Sequence, residues 1–272
     1  MHMYRLIADE LARGERIALA TVIRTQGSVP RREGAKMLIL ADGRSEGTIG
    51  GGEMESKVIA EGLETLRQGK PRRLLYEFRD PERGDVGVCG GEMEVFVEPI
   101  QPESSLIVIG AGHVGQAIAH LASWLGFRVI AADDRSDFAT PEKVPQADVH
   151  LTCSVRELPE LVDITENDYL VLTTRGVPLD VEGLPSLLET RAAYIGVIGS
   201  KRRWETTVEA LLESGVDRRE LDRVHSPIGL EIQAETPEEI AVSVMAEIIM
   251  QQRGGSGKTM GHSPKVVEAE ET

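Results

Sequence analysis

Aromatic residues are scarce in this 272-residue chain: phenylalanine, tryptophan and tyrosine together make up 4%. Aliphatic and small side chains must therefore fill any core, and a hydrophobic content of 41% is ample for that. Cysteine is scarcer still, with only Cys89 and Cys153. Two thiols exclude a disulfide-built secreted scaffold, and no C-x-x-C or H-x-x-x-H pattern supports a structural zinc site. Basic residues are outnumbered, 30 against 45 acidic, for a net charge of −15. A phosphate-tracking surface needs clustered Lys and Arg, so nucleic acid and anionic membranes are poor partners. No stretch approaches the ~18 uninterrupted apolar residues of a membrane-spanning helix. The first 20 residues carry charges throughout and lack a signal-peptide core. The expectation is a cytoplasmic protein.

What is present falls into two patterns. Leu6, Ile7 and Leu11 share one face of a helix expected over residues 3–13, with Gly14 as its stop. Strands are expected over 17–23 and 36–40. The glycine-rich loop 47–52 then opens into a helix over 53–68. Strands over 74–78 and 93–97 bracket a second glycine-rich loop that contains Cys89. The polar stretch 101–105, with Pro102, reads as a boundary, which gives an N-terminal domain over 1–102. Beyond it strands and helices alternate. Strands fall over 106–109, 128–132, 149–153, 169–173 and 194–198, and helices over 114–125, 181–189 and 200–213. Thr236-Pro237-Glu238-Glu239 forms a capping box that starts a last helix, to about residue 252. This alternation predicts a parallel sheet covered on both faces. The fold class is thus α/β: a small N-terminal α/β domain, then a Rossmann-type doubly wound parallel-sheet domain over 103–253. Residues 254–272, rich in Gly and Ser and then acidic, read as a disordered tail.

The nucleotide signal is Gly110-Ala111-Gly112-His113-Val114-Gly115, a G-x-G-x-x-G between a strand and a helix. Gly110 permits the tight turn, Gly112 lets the backbone approach a diphosphate, and Gly115 allows close helix–sheet packing. The helix start would hold phosphates on free N–H groups, and His113 could touch them. Asp133 ends the next strand, 18 residues past Gly115, close to the ~20 expected of a ribose-binding carboxylate. The same glycines would serve as well to shape a Rossmann fold whose site is unused. Arg135 could meet a 2′-phosphate or be a surface charge, the latter preferred. Arg175, Lys201 and Arg202 fall at strand ends or helix starts, where they could neutralise cofactor phosphates or be ordinary surface charge.

In the first domain, Gly50, Gly51 and Gly52 precede a helix, so their N–H groups could bind an anion. Cys89, before Gly90 and Gly91, could present a thiolate to a soft metal or to sulfur chemistry; an inert thiol is the alternative. Cys153 ends a strand and reads as a small core residue.

In their order along the chain, these motifs resemble the XdhC/CoxI family of xanthine dehydrogenase accessory proteins. The resemblance runs to about Arg253. It rests on Ala20-Thr21-Val22, Gly27-Ser28-Val29-Pro30-Arg31, Gly47-Thr48-Ile49-Gly50-Gly51-Gly52, Cys89-Gly90-Gly91 and the fingerprint from Gly110. It continues with Asp133-Asp134-Arg135, Thr174-Arg175-Gly176, Tyr194-Ile195-Gly196, Gly199-Ser200-Lys201-Arg202, Pro227-Ile228-Gly229-Leu230 and Thr236-Pro237-Glu238-Glu239-Ile240-Ala241. It implies a chaperone without turnover that binds the molybdenum cofactor and protects it during sulfuration by a cysteine desulfurase. Delivery into an apo molybdenum hydroxylase would follow, with the chaperone a homodimer. Cys89 would contact the molybdenum or its sulfido ligand. Two positions depart from the family pattern. Glu53 follows the glycine run where the family commonly has cysteine, and Val177 follows Thr174-Arg175-Gly176 where it often has histidine. Glutamate is a hard ligand that cannot carry sulfur, which leaves Cys89 as the single thiol of the first domain. The residues alone leave two other classes open: an NAD(P)-dependent oxidoreductase and a non-catalytic nucleotide-sensing regulator.

Overall fold

The computed structural model describes residues 2–78 and 90–261. The chain divides into two compact units, Met1–Glu103 and Ser104–Thr272.

In the first unit, helix α1 (His2–Ala12) leads into strands β1 (Ile17–Gln26), β2 (Lys36–Leu40) and β3 (Ser45–Gly47). Helix α2 (Gly52–Gln68) and strands β4 (Arg72–Glu77) and β5 (Glu92–Ile100) follow. The sheet order is β3-β2-β1-β5-β4, with every pair antiparallel. Side chains on a strand alternate between faces, and β1 uses both. Ala18, Ala20 and Val22 pack with Val58 and Leu66 of α2, whereas Ile17 and Leu19 pack with Leu6, Ile7 and Leu11 of α1. The short edge strand β3 is absent from the sequence reading, because Ser45-Glu46-Gly47 has no apolar residue and is exposed throughout.

The second unit opens on β6 (Ser105–Ile109), α3 (His113–Trp124), β7 (Arg128–Asp133) and β8 (Val149–Thr152). It continues with α4 (Leu158–Leu161), β9 (Asp168–Leu172), α5 (Val177–Leu188), β10 (Tyr194–Val197) and α6 (Lys201–Glu213). It ends with α7 (Arg218–Leu221), β11 (Val224–His225) and α8 (Pro237–Arg253). The order β11-β10-β9-β6-β7-β8 is wholly parallel. Ile107 and Leu170 face Leu184 and Leu211, while Val108 and Val171 face Ala119, Val244 and Ile248. Both faces are covered, which is why β6 and β9 are buried at every residue. The chain reverses its winding between β6 and β9, and ligands of open α/β sheets bind outside the carboxyl ends of strands at that point. The last helix starts where expected: Thr236 accepts from the Glu239 N–H, and the Glu239 side chain accepts from the Thr236 N–H in return.

Candidate functional site

At the switch point the fingerprint forms its turn. Gly110 has φ +108°, and a Cβ there would lie 2.6 Å from the Thr173 carbonyl oxygen. A Cβ on Gly115 would lie 2.0 Å from the Gly110 oxygen. Those two glycines are required by the protein's own packing. Gly112 is different: a Cβ there would meet nothing within 4 Å. No side chain caps the start of α3, and among the described residues no acceptor meets the N–H groups of Gly112, His113 or Val114. The turn therefore leaves both space and donors for an anion.

Beside the turn lies a cavity of about 220 Å³, floored by Ile109, Cys153, Val155 and Leu179 and rimmed by Arg175 and Glu182. Asp133 lies on its wall, and its carboxylate is fully engaged. It accepts from the Ala111 N–H at 2.8 Å, the Arg135 N–H at 3.0 Å, and the Arg135 guanidinium at 2.8 and 2.9 Å. Its side chain is 1% exposed. Burial alone would push this carboxyl up, but the bonds from Arg135 and Ala111 outweigh it and hold the pKa below its ordinary value. Arg135 in turn stacks 3.2 Å from the Phe138 ring centroid, so it is a half-buried partner of Asp133 rather than the surface charge preferred from the sequence. A depressed carboxylate pKa contributes stability that is full above the unfolded value, about 3.9, and is lost as pH falls through the folded value. Urea titrations from neutral to acid pH should therefore show Asp133→Asn less stable than wild type at neutrality and less dependent on pH in acid. Equal slopes would remove Asp133 from the acid response.

The loop after β9 is held from beneath. Arg203 reaches Asp180 at 2.6 and 3.1 Å, the Thr174 hydroxyl at 2.7 Å and the Thr174 carbonyl at 3.2 Å. The Thr174 hydroxyl also bonds Asp180, which is 0% exposed. Above this buried network, Arg175 pairs with Asp134 at 2.6 Å. Of the cations singled out from the sequence, Arg135 and Arg175 thus line the cavity, whereas Lys201 and Arg202 are exposed at the start of α6 and do not. The side chain that turns inward there is Arg203. A basic run of three gives no local sign of which member turns in; the spacing to a buried partner decides it. His113 is exposed and lines a separate open groove with His120 and Lys143. Cys153 is buried, and burial first, then the charge of Glu157, pushes its thiol up. It suits a core role.

In the first unit, the turn after β1 lies against both glycine-rich segments. A Cβ on Gly91 would sit 2.2 Å from the Ser28 carbonyl oxygen, and one on Gly50 would sit 3.0 Å from Pro30 Cβ. The loop Gly50–Gly52 was expected to offer its N–H groups to an anion, and the structure supplies one internally. The Glu55 carboxylate accepts from the N–H groups of Ile49 at 3.1 Å and Gly51 at 2.9 Å, and from the Thr48 hydroxyl at 2.5 Å. Burial alone would raise the Glu55 pKa; these donors outweigh it and lower it. The sequence signal was present, an acidic residue in the first turn of a helix that follows a threonine. Glu53 is exposed and pairs with Lys57 at 3.1 Å along α2. Gly90 and Gly91 pair with Phe78 through backbone hydrogen bonds. Cys89 lies outside the described residues.

Comparison with known families bears on both units. The profile of the XdhC Rossmann domain matches residues 106–248, and that of the XdhC and CoxI family matches residues 10–78. The chain belongs to the XdhC and CoxI family. Relatives include the uncharacterized protein YqeB of Escherichia coli K12, 38% identical over 89% of this chain and 45% of its own length. A protein of Bacillus subtilis 168 described as a probable xanthine dehydrogenase component is 35% identical over 58% of this chain and 46% of its own. The chain thus spans about half the length of these two XdhC/CoxI relatives. The molybdenum cofactor insertion chaperone PaoD of E. coli K12 is 23% identical over 90% of this chain and 86% of its own length. Among solved structures, a xanthine dehydrogenase from Bacillus halodurans is 24% identical, with a TM-score of 0.50, and covers 95% of this chain and 97% of its own. At that identity the likeness concerns the fold.

Proposed function

We propose that this chain is a maturation factor that binds the molybdenum cofactor and assists its sulfuration and insertion into a xanthine dehydrogenase-type hydroxylase. The carrying observation is the turn at Gly112, where the protein leaves an uncapped helix start and an open space beside a cavity with both apolar and charged walls. Likeness to an insertion chaperone over most of both chains supports the reading. The cofactor is a phosphorylated pterin carrying molybdenum on a dithiolene. The N–H groups of Gly112, His113 and Val114 would hold its phosphate, and the cavity lined by Ile109 and Val155 would take its ring. When bound, the group supplies the metal chemistry of the client enzyme; this chain holds, shields and releases it. The engagement of Asp133 by Arg135 weighs against an NAD(P)-dependent dehydrogenase, because the carboxylate that would take the ribose diol has no free lone pair directed outward. An apo hydroxylase, a cysteine desulfurase and a second copy of the chain are the proposed partners.

The test is molybdenum and pterin content after incubation with free cofactor and anaerobic gel filtration. Near-stoichiometric retention of both is expected, and absence of both from a folded protein would sink the carrier reading. In the same assay Cys89→Ser should lose most of the molybdenum, since the sequence makes Cys89 the single thiol of the first domain. Cys153→Ser should retain it. Equal retention by both variants and wild type would take Cys89 out of the mechanism.

A further inference from the structure

The cavity beside the fingerprint turn has an uneven set of hydrogen-bonding groups. Its guanidinium groups are already neutralised, Arg135 by Asp133 and Arg175 by Asp134. Its hydroxyls are likewise engaged. Ser154 donates to Glu157, Thr173 to the Gly110 carbonyl, and Thr174 to Asp180. Glu182 is the exception. It lines the cavity at its exposed mouth and has no hydrogen bond or ion pair with any described residue. Three carboxylates thus face two arginines, so a phosphate would be repelled here and belongs at the Gly112 turn instead. The one lining charge without a counter-charge is thus an acceptor, and a ligand that meets it brings donors. The floor of Ile109, Val155 and Leu179 calls for a flat apolar body, and about 220 Å³ is less than the ~300 Å³ at which drug-sized pockets begin. That space suits one ring system rather than a whole dinucleotide.

From these constraints we propose that the cavity binds a heterocycle through a 2-amino-4-oxopyrimidine edge, with Glu182 as the residue that reads it. That edge, shared by pterins and guanine, carries two adjacent N–H donors, and an ionised carboxylate can accept both at once. Adenine offers one amino donor flanked by acceptors, which Glu182 would face with a lone pair. The inference rests on the cavity being the ring site of the carrier described above, and it adds what that site selects.

The probes are 6-hydroxymethylpterin, guanosine, adenosine and NAD⁺, titrated calorimetrically into the full chain and into Glu182→Gln. The pterin and guanosine should bind at least about tenfold more tightly than adenosine or NAD⁺. Glu182→Gln should weaken the first two about tenfold to a hundredfold and leave the others, and the melting temperature, unmoved. Adenosine binding as tightly as guanosine, or a variant that binds the pterin like wild type, would overturn the assignment. The two readings fail separately. Pterin and guanosine binding that needs Glu182, with no molybdenum cofactor retained, keeps the edge reader and removes the molybdenum carrier. Molybdenum-cofactor retention indifferent to Glu182→Gln keeps the carrier and removes the edge reader.

Discussion

Asp180→Ala is expected to destabilise the Rossmann unit by about 3–5 kcal/mol, a fall in melting temperature on the order of 10 °C for a unit of this size. Asp180 is 0% exposed, and its partner Arg203 is 21% exposed through its side chain. Removing the carboxylate leaves a guanidinium in a poorly solvated place, and the Thr174 hydroxyl loses its acceptor at the same time. The cost comes chiefly from the uncompensated charge, so the paired replacement Asp180→Leu with Arg203→Leu should recover a large part of it. Calorimetry of the single and double variants separates the cases. A single-variant loss below about 1 kcal/mol would place the pair with surface salt bridges. The loop that carries Arg175 is anchored by this network through Thr174, so the single variant should also weaken ligand retention.

The second large effect divides two glycines three residues apart. Gly115→Ala should cost about 1–3 kcal/mol or more, because its methyl would lie 2.0 Å from the Gly110 carbonyl oxygen and 2.9 Å from Thr173 Oγ1. The Gly110 oxygen is backbone and cannot retreat without moving the turn. Gly112→Ala should leave stability within about 0.5 kcal/mol. Its φ of −72° with ψ −173° is open to any residue, and among the described residues no atom beyond its chain neighbours stands within 4 Å of the added methyl. Ligand retention should nevertheless fall at least about tenfold, because the methyl occupies the approach of the phosphate to the backbone. Thermal melts and cofactor retention measured on both variants give the answer. Gly112→Ala retaining cofactor like wild type would move the phosphate away from this turn.

The glycine predictions start from a motif visible in the chain and are given their sign by contacts that are not. The fingerprint, the alternation of strands and helices after Ser105, and the Thr236 capping box are local patterns. Short-range geometry dictates them: which φ a glycine must take, which donors a helix start leaves open, and which period an apolar face follows. That was enough for the Rossmann fold, the family and the last helix. It was not enough for β3, whose residues follow no apolar period and which is held by pairing with β2.

What the sequence by itself determined, then, is the backbone scaffold and the turn at Gly110–Gly115, because those interactions span a few residues. Only the tertiary structure decided how the polar side chains are used. Asp133 is two residues from Arg135 but also takes the Ala111 N–H from 22 residues away. Glu55 reaches back to fill the glycine loop it follows. Arg203, not Lys201 or Arg202, meets Asp180 across 23 residues. A buried charge must find a partner, and which partner is within reach depends on how the elements pack rather than on their order along the chain. Glu182 shows the converse: among the described residues packing brings it no partner, and that leaves it free to meet a ligand.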